Sequence, residues 1–283
     1  MMWRLLMDPP ASGAENMAFD QAIAEAVALR LAPATLRIYR WVPPAVSLGW
    51  GQDAGECDRA ACAAAGWDVV RRPTGGRAVL HDSTEVTYAV MLPLAEAPDG
   101  VLAAYRWLAQ GLLEGLNRLG LPGELAAGKR EGARSAACFD APAMYEIVVD
   151  GRKVIGSAQV RRAGYLLQHG SVPLTFDPML HVRLLALGGG ERMARWLLRQ
   201  ASGLEGLSLR ALDWNEVAQA LTYGFAVGLG VELEAGGHLP WEIERAGRLR
   251  ALYADPASLE QPRPRFVVPS PGVPEETIRG GGA

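Results

Sequence analysis

The sequence predicts an α+β fold, and three observations carry that prediction. Strand-like runs are joined by turns too short to hold a crossover helix. Helical runs are interspersed among them without a regular βαβ rhythm, and one stretch reads as a three-strand meander. That stretch, Ala137–Val172, is ACFDAPAMYEIVVDGRKVIGSAQVRRAGYLLQHGSV. Alternation over Met144–Val149 leads to Asp150-Gly151, a strong two-residue hairpin turn, and Arg152–Arg162 is the returning strand. A third strand over Tyr165–Leu174 follows the Ala163-Gly164 turn. Rigid strands of this kind hold reactive side chains to useful precision.

The remaining elements follow in chain order. Trp3–Met7 is a first strand, and Ser12 with Glu15 gives a capping box that opens an alanine-rich helix ending near Pro33. Asn16 and Asp20, one turn apart on it, read as a solvated polar face. Thr35–Trp41 and Ala45–Trp50 are strands on either side of the Pro43-Pro44 turn, and Cys57–Gly66 is a short helix. Trp67–Arg72, Ala78–Asp82 and Glu85–Leu92 are strands, and Gly100–Leu119 is a helix with one apolar face. Leu125–Ser135 is a glycine- and charge-rich loop carrying Lys129. Beyond the meander, helices are expected over Pro178–Leu187, Arg192–Ala201, Trp214–Gly228 and Trp241–Tyr253, with a short strand at Val231–Glu234. From Pro256 the chain turns Pro/Gly-rich and reads as a loosely docked tail. The expected organisation is one domain over 1–255, helical after 188, followed by a tail over 256–283.

Composition narrows the function. The 283 residues are 49% apolar with a net charge of −3, which fits a folded protein and argues against a general nucleic-acid binder. No apolar run approaches the ~20 residues that span a bilayer, so no membrane role is expected. The start, MMWRLLMDPP, is too short for a signal peptide, and three cysteines without a CxxC pair indicate neither a disulfide framework nor a zinc site. A reducing, cytoplasmic setting and no metal are therefore expected. Of 28 basic residues only Lys129 and Lys153 are lysines. Where arginine serves nearly everywhere, a surviving lysine is a candidate for a task that needs a compact, titratable charge.

Two stretches carry candidate chemistry. In RRPTGGRAVLHD the Gly75-Gly76 pair lets backbone approach a ligand, and Arg71, Arg72 and Arg77 make the loop cationic, suited to a phosphate, a carboxylate or an acidic partner. Its spacing matches neither a P-loop nor a dinucleotide fingerprint. Adjacent strand residues point to opposite faces, so His81 and Asp82 do not form a direct relay, and His81 is read as structural or substrate-lining. In the meander, Cys138 follows small residues that leave its sulfur accessible, and Lys153 lies just past the hairpin turn. A nearby cation lowers a thiol's pKa, and Lys153 could stabilise the Cys138 thiolate or donate to an oxyanion during acyl transfer. Gly156, Ser157 and Ala158 on one strand, with His169, Gly170 and Ser171 on the next, suggest the floor of a groove. Cys57 and Cys62, set among alanines, read as small core or surface residues.

Four ordered motifs, RRPTGGRAVLHD, ACFDAP, GRKVIGSAQ and LQHGS, together resemble the lipoate-ligase/octanoyltransferase/biotin-ligase family over roughly Trp3–Leu187. The ACFDAP cysteine resembles the LipM-type octanoyltransferase branch. The resemblance implies a class II aminoacyl-tRNA synthetase/biotin synthetase-like catalytic fold, with mixed, mostly antiparallel sheets flanked by helices. It implies an acyltransferase of lipoate biosynthesis that moves octanoyl from acyl carrier protein to a lysine of a lipoyl-domain protein, typically the glycine-cleavage H protein. By the same resemblance Cys138 is the nucleophile that becomes a thioester and Lys153 the active-site lysine. Arg72, Gly75, Gly76, Arg77 and His81 line the acyl site, and Gly156, Ser157, Ala158, His169 and Gly170 form its floor. No cofactor is implied, because thioester to thioester to amide needs neither ATP nor metal. Arg77 stands where the ATP-dependent lipoate ligases usually carry a third glycine, which fits the transferase branch. The rival expectations are an ATP-dependent lipoate or octanoate ligase, a lipoyl-domain amidotransferase using the same cysteine, and a non-catalytic binder of lipoyl domains.

Overall fold

The computed structural model describes residues 1–126, 146–162 and 164–260. Its elements in order are β1 (Met2–Met7), α1 (Gly13–Ala28), β2 (Thr35–Tyr39), β3 (Ala45–Leu48), α2 (Arg59–Ala64), β4 (Asp68–Arg71), β5 (Val79–His81) and β6 (Val86–Pro93). Then come α3 (Val101–Arg118), β7 (Glu124–Leu125), β8 (Ile147–Val149), β9 (Arg152–Arg162), β10 (Tyr165–Val172), α4 (Pro178–Leu184) and α5 (Gly190–Gln200). The chain continues with α6 (Trp214–Leu229), β11 (Glu232–Ala235), α7 (Pro240–Ala254) and α8 (Ala257–Glu260).

Two sheets organise these elements. The larger has the order β11-β1-β2-β6-β10-β9-β8-β7, and the smaller β4-β3-β5. Among the described strands, β11–β1, β1–β2 and β3–β4 pair in parallel and the other neighbours are antiparallel, as β8–β9 and β9–β10, joined by short turns, must be. The expected α+β architecture is observed. One face of the large sheet packs on α3 and α6 through Tyr88, Val90, Leu108, Leu112, Leu221 and Phe225. The other face packs on α1 and α7 through Tyr39, Met91, Leu167, Ile23 and Leu249. The small sheet has its own apolar layer with α2, α4 and α5, in which both Cys57 and Cys62 are buried.

Several elements differ from expectation. α1 ends at Ala28, and Glu124–Leu125, assigned above in part to a loop, pairs with β8 as an edge strand. The expected tail does not begin at Pro256: Ala257–Glu260 is helical, Leu259 is buried against the small sheet, and Arg71 donates to the carbonyls of Ser258 and Leu259. The Arg71 guanidinium therefore pins this helix to the fold. Residues 261–283 lie outside the described residues, as does Lys129. Among the described residues no helix is long and apolar enough to cross a membrane.

The β8–β9 hairpin contains the detail that matters for the site. Asp150 and Gly151 take positive φ, 49° and 71°, as the tight turn requires. Val148 then opposes Lys153 while Ile147 opposes Ile155, so Val154 is an extra, bulged residue. Val154 and Ile155 both enter the α3/α6 core as a result. The bulge resets the alternation, so Lys153 shares a face of the sheet with Gly156 and Ala158. An unbulged strand would have turned Lys153 into the apolar core.

Candidate active site

The large sheet and the small sheet meet over a cavity. The floor comes from Gly156, Ser157 and Ala158 on β9, His169, Gly170 and Ser171 on β10 and Thr87 on β6. Ser47, Arg72, Gly76, Val79 and His81 form the facing wall, and Met17, Tyr39 and Trp41 complete the lining. Gly170 is required here by close approach. A Cβ at that position would lie 2.5 Å from the Tyr88 ring, 2.8 Å from the Gly156 carbonyl and 2.8 Å from Ser157 Oγ.

Arg72, 3% exposed, organises the wall. Its Nε donates to Thr74 Oγ1 (3.1 Å), Nη1 to the Ser47 carbonyl (2.8 Å) and Ser47 Oγ (3.1 Å), and Nη2 to the carbonyls of Gly75 and Arg77 (both 2.7 Å). The RRPTGGR loop is thus folded around its own arginine. Gly76, at φ +92°, seats its carbonyl so close to Gly49 that a Cβ on Gly49 would fall 1.9 Å away.

Two carboxylate–imidazole–hydroxyl chains converge on that guanidinium. On the floor, Asp20 Oδ2 accepts from His169 Nδ1 (2.8 Å), and His169 Nε2 meets Thr74 Oγ1 at 2.7 Å. On the wall, Glu85 Oε1 accepts from His81 Nδ1 (2.7 Å), and His81 Nε2 meets Ser47 Oγ at 2.8 Å. A carboxylate at Nδ1 fixes that nitrogen as the donor. Both hydroxyls in turn accept from Arg72. Burial depresses the His169 pKa; the Asp20 contact opposes this, and the positive charge of Arg72 adds to the depression. His169 is therefore a neutral imidazole.

The carboxylates are anchored differently. Asp20 also accepts from Arg37 (2.7 Å) and from the Tyr39 hydroxyl (2.9 Å), and Arg37 donates to Asp8 (2.6 Å). Burial, and then the Asp20 charge, push the Tyr39 phenol well above its usual pKa, so it remains the donor. Glu85 accepts from the hydroxyls of Thr87 and Ser171, while the His81 ring stacks on Trp41 at 4.0 Å.

Several expected site residues have different surroundings from those foreseen. Arg72, His81, Gly76, Gly156, Ser157, Ala158, His169 and Gly170 come together around the cavity. Gly75 and Arg77 are not among the residues lining it: the Gly75 carbonyl faces Arg72, and the Arg77 side chain pairs with Glu56 at 2.9 Å. The arginines of this loop are not an anion-facing cluster, because Arg71 and Arg72 spend their donors on protein carbonyls and hydroxyls. His81 has its carboxylate in Glu85 rather than Asp82, which caps the β5–β6 turn by accepting from the Thr84 and Glu85 amides. Asn16 and Asp20 are not a solvated face; both are 0% exposed, and Asn16 holds Arg37 at 3.0 Å.

Lys153 is fully buried and pairs with Glu146. It stands about three residues, roughly 10 Å, along β9 from Gly156. Cys138 lies outside the described residues. Among the described residues no three His, Cys, Asp or Glu side chains gather as a bound metal ion would need.

With this geometry in place, the chain can be compared with known proteins. The family model for the lipoyl protein ligase A/B catalytic domain matches residues 12–226. The octanoyltransferase LipM of Kyrpidia tusciae is 42% identical over 263 residues, covering 89% of this chain and 96% of its own. Its namesake in Symbiobacterium thermophilum is 45% identical over 245 residues, covering 83% and 89%. Among solved structures, the bipartite lipoate protein ligase of Thermoplasma acidophilum, studied with its E2 lipoyl domain, superposes with a TM-score of 0.76 at 22% identity, covering 95% of this chain and 99% of its own. A lipoate-protein ligase A bound with ATP gives 0.73 at 23%, covering 89% and 95%. At these identities the structural likenesses establish the shared fold.

Proposed function

The chain belongs to the lipoyl protein ligase A/B catalytic-domain family, and from that premise we propose that it is an octanoyltransferase of lipoate biosynthesis. It takes octanoyl from acyl carrier protein and places it on a lysine of a lipoyl-domain protein, with the glycine-cleavage H protein as the expected acceptor. The observation that carries this reading is the 42% identity to the Kyrpidia tusciae octanoyltransferase across 96% of that protein's length. The cavity supports it: its floor of glycine, serine and alanine on β9 leaves room for an acyl chain.

In the proposed mechanism the Cys138 thiolate attacks the carrier thioester. An S-octanoyl bond forms on Cys138 as the carrier's acyl C–S bond breaks, and the departing carrier thiolate takes up the proton that Cys138 gave up on ionising. The acceptor's amine, having lost its ammonium proton, then attacks the acyl-enzyme, which yields the amide and returns the cysteine. Lys153 is assigned to the carbonyl end, where its ammonium donates to the developing oxyanion. A donor of that kind contributes about 2.7–4 kcal/mol to the transition state. With the carbonyl near Lys153, the acyl tail runs along β9 over Gly156 and Ala158 toward His169. The neutral state of His169 keeps an unpaired charge away from that tail.

The test is to incubate the protein with octanoyl carrier protein and a lipoyl-domain acceptor, without ATP, and to read intact masses. Expected are an octanoyl adduct on the enzyme, mapped to Cys138 and cleaved by hydroxylamine, and a modified acceptor lysine. Absence of acceptor modification without ATP would sink the transferase reading in favour of a ligase. Cys138→Ala should form no adduct.

A further inference from the structure

Helix α5 presents a cationic stripe that the proposed chemistry does not use. In GERMARWLLRQ, Ala194 and Leu197 are buried against the small-sheet layer. Arg192, Arg195 and Arg199 follow the i, i+3, i+7 spacing and so share the opposite side of the helix, while Trp196 packs back onto the small-sheet layer. The three arginines are exposed, Arg195 with two-thirds of its side chain in solvent. Glu191, the sole acidic residue of the helix, pairs with Arg195 at 3.1 Å, and Arg192 and Arg199 leave the stripe net positive on a chain whose net charge is −3. Arg183, exposed on α4, extends it, and Leu198, 48% exposed, lies at its flank. A row of arginines with an exposed leucine beside it has the composition of a protein-binding surface.

The position of the stripe gives it meaning. Directly after α5, Ala201 forms a β-bridge with Lys153, and the Ser202 amide donates to the Lys153 carbonyl at 3.0 Å. The stripe therefore abuts the strand segment that holds the lysine assigned to the carbonyl end of the site. We infer that the Arg192–Arg195–Arg199 face of α5 docks the acyl donor, an acidic protein surface carrying its acyl group as a thioester on a tether. The inference rests on the proposed transferase reading. It favours the donor over the acceptor because a thioester brings no charge of its own. The acceptor must deliver a cationic lysine, which a row of arginines repels at long range.

The test compares two donors, octanoyl carrier protein and the small thioester octanoyl-pantetheine, with the variant Arg192→Glu/Arg195→Glu/Arg199→Glu in the full chain. Acylation with the carrier-borne donor should fall about ten-fold or more at low salt, and the steep salt dependence of the wild-type rate should flatten. Acylation by octanoyl-pantetheine should be unchanged. The milder Arg192→Gln/Arg199→Gln should show the same selectivity with a smaller loss. Equal loss with both donors in the Gln variant overturns the inference, as does no loss with either. A loss confined to transfer from the pre-formed acyl-enzyme also overturns it, because it assigns the face to the acceptor. If wild-type protein accepts octanoyl from neither donor, it is the transferase reading that fails.

Discussion

On the floor of the cavity, Asp20 holds His169 and shares the Arg37 guanidinium with Asp8; on the facing wall, Glu85 holds His81 and is itself held by the hydroxyls of Thr87 and Ser171. The two chains use the same chemical parts and end on the same Arg72. They differ in what compensates the buried carboxylate. The floor uses a full opposite charge between two acids, a network that is stable only while complete. The wall surrounds its carboxylate with the hydroxyls of Thr87 and Ser171 and an imidazole N–H, each of which contributes less and is less costly to lose. The floor is therefore the brittle half of the site and the wall the adjustable half.

Removing the cation should break the floor first. Arg37→Met leaves the fully buried Asp20 and the half-buried Asp8 without their shared partner, and breaking one half of a buried pair costs about 3–5 kcal/mol. A urea melt should show that loss with little change in slope, and adding Asp20→Asn should restore part of it. A loss below about 1 kcal/mol would show that the two acids do not depend on Arg37, and the comparison would fail. On the wall, Glu85→Gln keeps the shape, makes the bonds that the remaining oxygen accepts neutral, and turns the other oxygen into an amide donor that a rotated Ser171 hydroxyl can accept. Its expected cost is smaller, about 1–2 kcal/mol. If Glu85→Gln proves as damaging as Arg37→Met, the two walls are equally brittle.

Much of this arrangement was legible in the sequence, and the part that was not has a physical reason. The β8–β9 turn was readable from Asp150-Gly151, and the small-residue floor from Gly156 and Gly170, because backbone constraints are written locally. Asn16 and Asp20 were misread because helix spacing alone cannot say what covers a helix. In the structure α1 is covered on one side by the large sheet and on another by α7, whose Arg245 and Tyr253 bond Glu25 and Gln21 from more than 200 residues away. A usable signal was present: α1 has almost no solvated face, so the polar residues on it had to find partners. Glu85 was missed for a related reason. His81 ends β5 in the small sheet and Glu85 immediately precedes β6 in the large one, and only the turn that passes between the two sheets brings them together. The bulge at Val154, which turns Lys153 to the cavity face, left no local mark, since Lys-Val-Ile is ordinary strand sequence.

The smallest expected effect separates the two chains by pH. The His169 pKa is depressed below its ordinary 6.5 mainly by burial, with Arg72 and His81 adding to the effect and Asp20 opposing it. The unfolded chain therefore takes up a proton near pH 6.5 that the folded imidazole refuses. Stability is full above that pH and declines as pH falls below it toward the folded value. His181 is depressed in the same sense by burial, so it adds to the same decline. Asp8 acts in a different window: burial raises its pKa, but His238 and Arg37 outweigh this and leave it below 3.8, so its contribution is lost only as pH falls beneath that value. Melting temperature measured from pH 8 to pH 5 should thus fall mainly below 6.5. His169→Gln should reduce the slope without abolishing it, since His181 still titrates. An unaltered slope in His169→Gln would mean that His169 is not held neutral, and that the floor differs from the wall less than its buried charges indicate.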